Sequence, residues 1–228
     1  MEKFKETIII SLGGSLISPY EIDVEYLKKF KKIIEKFVKR RFRFVIVTGG
    51  GKICRKYNQA ARELNNKVKP VELDWLGIKA TKVNAELVRV MFNNKAYFKV
   101  IDQPEEKVKE NKPIIIAGGW KPGASSDNMA VNLAKAFKAL IVINLSNVEY
   151  VYDKDPNKYK GAKPFKNLSW AQYRRLIGAK WDPGANWPFD PIASKLAQKL
   201  GLEVIICNGH NLENYLSNKD FKGTIIKK

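Results

Sequence analysis

Three apolar runs in this chain each empty directly into clustered glycines. They are Ile8-Ile9-Ile10-Ser11-Leu12-Gly13-Gly14, Phe44-Val45-Ile46-Val47-Thr48-Gly49-Gly50-Gly51 and Ile114-Ile115-Ile116-Ala117-Gly118-Gly119. A β-branched run of this length, followed by glycine and then a helical pattern, reads as a strand buried on both faces that turns tightly onto a helix. Strand runs at 7–12, 43–48, 97–101, 113–117, 140–145 and 203–207 alternate with helical patterns at 23–39, 53–64, about 75–93, 127–138, 169–176 and 189–200. Such alternation predicts an α/β fold, a three-layer αβα sandwich around a mainly parallel sheet. Residues 146–168 break the pattern with Tyr, Asp, Lys, Asn, Pro and Gly, and read as a long functional loop or a short hairpin flap.

Length suits this reading, since 228 residues accommodate one large α/β domain, and no linker-like stretch divides it. We read a single domain over 1–228 with two lobes meeting near residue 117. No apolar run approaches the roughly 18 residues of a membrane span. The opening Met1-Glu2-Lys3-Phe4-Lys5-Glu6 is charged, without the apolar core of a secretion signal. Cys54 and Cys207 suggest neither a disulfide framework nor a metal cluster and fit a reducing cytoplasm, and the single His210 makes no His-based metal site without other ligand types. The 42 basic and 23 acidic residues leave a net charge of +19. That excess attracts polyanions, but the lysines are scattered and no nucleic-acid motif accompanies them. A lysine-rich surface drawing small phosphate esters is preferred over a nucleic-acid binder.

Glycine turns at strand exits bare their backbone N–H groups beside a helix N-terminus, and phosphate binds there. Gly49-Gly50-Gly51-Lys52 is not a Walker A loop, because Ile53 stands where Ser or Thr would hold a metal. One glycine cluster alone serves equally as a tight turn; three together favour a site for several phosphates. Arg55, one helical turn beyond, is placed to reach an anion. Trp120-Lys121-Pro122-Gly123-Ala124-Ser125-Ser126-Asp127 adds a cation, hydroxyls and a carboxylate at a helix start. Phosphoryl transfer asks mainly for charge neutralisation and positioning, which these groups supply. A helix cap is the lesser alternative for Asp127.

These segments resemble the amino acid kinase superfamily, and within it the uridylate kinases of archaeal type. The likeness runs nearly end to end. It includes Leu12-Gly13-Gly14-Ser15, Thr48 to Tyr57, Asp74 to Ala85, Gly118 to Asp127, Asn147 to Pro156, Phe189-Asp190-Pro191-Ile192-Ala193 and Gly223-Thr224-Ile225-Ile226. The resemblance implies ATP-dependent phosphorylation of UMP with Mg²⁺, with residues 1–117 on the acceptor side and 118–228 on the ATP side. It implies UMP contacts at Gly50, Asp74, Trp120, Lys121, Pro122, Gly123, Ala124, Ser125 and Ser126, with Asp74 on the ribose hydroxyls. It implies ATP contacts at Gly13, Gly14, Ser15, Gly51, Arg55, Ser146, Tyr152 and Asp155, and a transfer centre organised by Asp127. Expected partners are the nucleotides, UTP as an inhibitor, and further copies of the chain in a dimer or hexamer.

Three departures stand out, one being Trp120 and Ala124 at loop positions that vary with the acceptor. Many members carry Lys where this chain has Ser11, so the charge there is expected from Lys52, Lys121 or a metal. Glu149-Tyr150 replaces a usual Asp-Gly. The alternatives are a related kinase acting on isopentenyl phosphate, a carbamate or an acylglutamate, or a non-catalytic nucleotide-binding regulator. Isopentenyl phosphate kinases carry a His beside the triple-glycine turn, and none stands here.

Overall fold

Alternate residues of the first strand face opposite layers, and this pleat organises the molecule. The computed structural model describes residues 4–106, 108, 111–156, 158–178 and 188–228. The first strand, β1 (Glu6–Leu12), leads through a short helix, α1 (Gly14–Ile17), to α2 (Val24–Val38). There follow β2 (Phe42–Thr48), α3 (Gly51–Leu64), α4 (Pro70–Phe92), β3 (Ile114–Ala117), α5 (Ser126–Phe137) and β4 (Ile141–Ser146). A small antiparallel hairpin, β5 (Val151–Tyr152) with β6 (Pro164–Phe165), precedes β7 (Asn167–Ser169) and α6 (Trp170–Ile177). The chain closes with α7 (Pro191–Leu200), β8 (Glu203–Asn208), α8 (Leu212–Leu216) and β9 (Gly223–Lys227).

Seven strands form one sheet in the order β3-β2-β1-β4-β8-β9-β7, parallel throughout except for β8 against β9. Ile8, Ile10 and Leu12 pack with Leu27, Phe30, Ile34 and Phe37 of α2 and with Ala85, Val88 and Phe92 of α4. Ile9, on the opposite face, joins Met129, Ala130 and Leu133 of α5 and Trp170, Tyr173 and Ala193 of α6 and α7. Both faces are covered, so the strands are apolar along their length, and each fully buried Ile or Phe contributes ~1.5–3 kcal/mol. This is the expected αβα sandwich. Among the described residues no helix is long and apolar enough to cross a membrane.

Residues 97–101 do not form the expected strand. Ala96 and Ile101 each make a single bridge to β3, and between them the chain bows outward and leaves Phe98 exposed. The apolar residues there anchor two points of an edge instead of a ladder. Within 146–168 the hairpin alternative holds. Its tie to the sheet is Thr224, whose Oγ1 accepts from Val151 N at 2.9 Å and donates to the Phe165 carbonyl at 2.5 Å. Helix α4 begins at Pro70, before the expected 75, because proline is well tolerated at the first helical position. Phe189 and Asp190 precede α7 instead of opening it, with Asp190 as its cap.

Candidate active site

Strand order reverses between β1 and β4: the chain steps from β1 through β2 to β3, then returns to the other side of β1. In open parallel sheets, ligands bind beyond the carboxyl ends of the strands at such a switch point. Here the first two glycine turns meet, and the third lies against α4 beside them. Gly13 N donates to Leu145 O at 2.8 Å, and Gly49 N donates to Leu12 O at 2.9 Å. Gly14 and Gly51 touch backbone to backbone; a Cβ on Gly14 would fall onto Gly51 N, and Gly51 has φ +66°. These glycines are therefore required first by each other, since no side chain fits between the turns. Neither α1 nor α3 has a side-chain cap at its start; Lys52 N donates to the Ser18 carbonyl at 3.3 Å, and Gly51 N and Ile53 N are the groups of the first turn of the 14-residue α3 that can meet an anion.

Helix α4 braces the second and third turns. Buried Asn84 donates to Gly49 O at 2.8 Å, and Thr81 Oγ1 accepts from Gly119 N at 2.7 Å while donating to Ile78 O. Between α3, α4 and the 119–126 loop lies a cleft of about 220 Å³. Of the expected acceptor residues, Gly50, Asp74, Lys121, Gly123, Ala124, Ser125 and Ser126 line it together. Asp74 Oδ2 accepts from Gly123 N at 2.9 Å, which holds the loop against α4. Trp120 and Pro122 do not line the cleft; Trp120 packs on the core and its ring carries Lys121 Nζ at 4.1 Å. Cys54 also lines the cleft, its thiol pushed up from its ordinary pKa mainly by burial.

Ser11 and Asn144 are register partners on β1 and β4, so both point to the layer where α5 begins. There Asp127 Oδ1 accepts from Ser11 Oγ and from Asn144 Nδ2, each at 3.0 Å, and Oδ2 accepts from Asp190 N at 3.2 Å. Burial, and next the Asp190 carboxylate, push the Asp127 pKa up to about 7 against hydrogen bonds from Ser11 and Asp190 N that favour the anion. Asp190 caps α7 through Ile192 N and Ala193 N, and its second oxygen accepts from Ser125 Oγ, itself the cap of α5. The 119–126 loop, two helix starts and Asp127 thus form one hydrogen-bonded unit.

The expected cations are placed elsewhere. Lys52 Nζ rests 3.3 Å from the Tyr20 ring centroid, and Lys121 lies on Trp120. The groups that meet Asp127 where Lys is usual are the neutral Ser11 and Asn144. Arg55 is exposed on α3. Gly13 and Ser15 flank Gly14 at the first turn, and Ser146 ends β4 beside Gly13, its Oγ accepting from Val148 N. Tyr152 and Asp155 lie on the hairpin, outside the cleft; the Tyr152 ring meets Tyr150 edge-on at 6.1 Å. Sequence reasoning singled out neither Thr81, Asn84, Asn144 nor Asp190 for a role. The available signals were polar residues inside apolar patterns and an Asp immediately before a helix-starting Pro.

A profile described as the amino acid kinase family matches residues 6–208 of this chain. The chain belongs to the amino acid kinase family. Among its relatives are a uridylate kinase of Thermoplasma volcanium, 34% identical over 97% of this chain and 98% of that one, and a uridylate kinase of Methanobrevibacter smithii, 32% identical over 92% of each. The crystal structure of uridylate kinase from Archaeoglobus fulgidus superposes with a TM-score of 0.81 at 30% identity, covering 96% of this chain and 99% of that chain. Within the family the sequence therefore stands beside archaeal uridylate kinases, in agreement with the resemblance of its motifs.

Proposed function

We propose that this protein is a uridylate kinase that transfers the γ-phosphoryl group of ATP to the phosphate of UMP, giving UDP and ADP. The observation that carries the proposal is the backbone junction of Gly14 with Gly51, which sets two uncapped helix starts side by side with the cleft on one flank. One oxygen of the UMP phosphate attacks the γ-phosphorus as the bond to the β-γ bridging oxygen breaks, with no enzyme-bound intermediate. The acceptor is already an anion, so no strong base is needed and catalysis is positioning plus electrostatics.

Gly50 and the loop from Trp120 to Ser126 hold the phosphate and base of the acceptor. Asp74 accepts from both ribose hydroxyls, and Lys121 with the 122–126 loop closes over the nucleotide. Gly13, Gly14, Ser15, Gly51 and Arg55 hold the ATP phosphates; Ser146, Tyr152 and Asp155 form the adenosine side. Lys52 and Lys121 sit on flexible stems and leave their aromatic rests to meet the transferring group. Asp127 organises the centre. Mg²⁺ arrives on the ATP phosphates. Such an ion keeps several waters and is held mainly by phosphate oxygens. We place the reaction in cytoplasmic pyrimidine nucleotide synthesis, with UTP as inhibitor. We also propose that the protein assembles with copies of itself through α4, where Val71, Trp75, Val83, Leu87 and Val90 are exposed.

Incubation with ATP, Mg²⁺ and a panel of UMP, CMP, isopentenyl phosphate and N-acetylglutamate tests the assignment. UDP is the expected main product. Turnover of another acceptor without UMP, or tight nucleotide binding with no product, overturns it.

A further inference from the structure

Positive charge gathers on a surface that the cleft does not use. Helix α2 and its exit carry Lys28, Lys29, Lys32, Lys36, Lys39 and Arg40, all exposed. Spaced three or four residues apart, they share one face of the helix, opposite Leu27, Phe30, Ile34 and Phe37, which pack in the core. They form a ridge about 18 Å long. Few acids answer it. Glu25 pairs with Lys28 at 2.8 Å and Glu213 with Lys36 at 2.6 Å, both in solvent, where such pairs contribute little. Among the described residues, Lys29, Lys32 and Lys39 have neither an ion pair nor a hydrogen bond. Lys5 prolongs the ridge past the exit: its Nζ stands 5.3 Å from the Phe42 ring centroid, and that ring meets Phe37, on which Arg40 also rests.

The ridge does not serve the cleft. Helix α2 runs from the carboxyl end of β1 to the amino end of β2, so its exit lies at the opposite end of the sheet from the glycine turns. Its dimensions and chemistry select a partner. About 18 Å of duplex DNA presents about ten phosphates, about five on each strand, which matches the row of cations. A single nucleotide would meet only a fraction of it. The exposed face has no aromatic side chain to stack an unpaired base and no hydroxyl or amide to read a ribose 2′-OH, the contacts by which RNA is bound. The apolar side of α2 is committed to the core, so the helix cannot sink into a bilayer. A second copy seated on the ridge would set lysine against lysine.

We propose that the α2 ridge binds the phosphate backbone of double-stranded DNA, without regard to base sequence and independently of the kinase reaction. Each cation that meets a phosphate releases condensed counterions, so the binding is electrostatic and falls steeply with salt.

The test is fluorescence anisotropy of a labelled duplex of about 20 base pairs, titrated with the full chain between about 50 and 200 mM salt. Binding is expected, with a slope of log K on log salt of about −4 or steeper. Lys29→Gln, Lys32→Gln and Lys39→Gln combined should make that slope shallower by about 3 and weaken binding on the order of a hundredfold at about 100 mM salt. Lys135→Gln, Lys195→Gln and Lys199→Gln combined remove the same charge from exposed positions of α5 and α7, in the opposite layer, and should weaken binding less than about threefold. Exposed substitutions of this kind each cost about 0.5 kcal/mol or less, so both variants fold. Equal losses in the two variants would show that net charge alone holds the duplex, and overturn the ridge. So would the absence of binding by wild type at the lowest salt. Tighter binding to RNA of the same length, or binding to phosphatidylglycerol vesicles without binding to DNA, would assign the surface to another partner and overturn the proposal equally.

Discussion

Replacing Asp127 by Asn should change how stability depends on pH, and the size of the change follows from the carboxyl's surroundings. Its donors, Ser11, Asn144 and Asp190 N, are all neutral, and the nearest charge is the Asp190 carboxylate. The folded-state pKa of about 7 exceeds the ordinary 3.8, so between those values the folded protein binds more protons than the unfolded chain. Stability from this group is complete below pH 4, declines as pH rises, and is fully lost above pH 7. The slope reaches about 1.4 kcal/mol per pH unit and the total at most about 4 kcal/mol. Asp127→Asn removes the titration and sets its amide nitrogen against a donor, either Asp190 N or Asn144 Nδ2, a pH-independent cost of about 1 kcal/mol. Thermal melts of both proteins from pH 4 to 8 should therefore diverge in favour of the variant. The gap should widen by on the order of 10 °C for a chain this size. Other carboxylates cancel in the difference. Parallel curves would refute the argument that Asp127 is an uncompensated buried acid. The same variant should lose at least about a hundredfold in kcat with ATP affinity little changed; a wild-type rate would remove Asp127 from the transfer centre.

Three further substitutions probe the rest of the site. Gly14→Ala places a Cβ on Gly51 N and should cost about 1–3 kcal/mol or prevent folding; an unchanged denaturation midpoint would show that the turns can separate. Asp74→Asn keeps an acceptor for Gly123 N but loses one for the ribose, so KM for UMP should rise about tenfold with kcat within a few-fold. An unchanged KM refutes the ribose contact. Lys121→Ala should lower kcat on the order of tenfold or more if the side chain leaves Trp120 for the phosphoryl group, and equal rates would show that it stays there.

Much of this was legible in the chain because the strongest signals coincide with the fold's centre. Ile8–Leu12, Phe44–Thr48 and Ile114–Ala117 are buried on both faces, and an unbroken β-branched run has few other destinations. The 97–101 segment failed because apolar residues that merely anchor an edge resemble those of a strand. Strand β9 was missed as an element, although Gly223-Thr224-Ile225-Ile226 was noticed as a motif, because five residues at a chain end carry little periodicity. The glycines were read as phosphate cradles, but their first constraint is mutual contact, which spacing does not reveal. The surroundings of Asp127 were hidden for a like reason. Ser11 and Asn144 become neighbours only through the β1–β4 register, 133 positions apart in number yet side by side in the sheet.

The welding of Gly14 to Gly51 has a consequence for how such a scaffold diversifies. On the proposed assignment, donor and recipient sites meet at this one backbone contact, so it sets the span a phosphoryl group must cross. Side chains on α3, α4 and the 119–126 loop can then be exchanged without disturbing that span. A change of substrate on this architecture is a matter of redecorating walls around an unmoving hinge-pin.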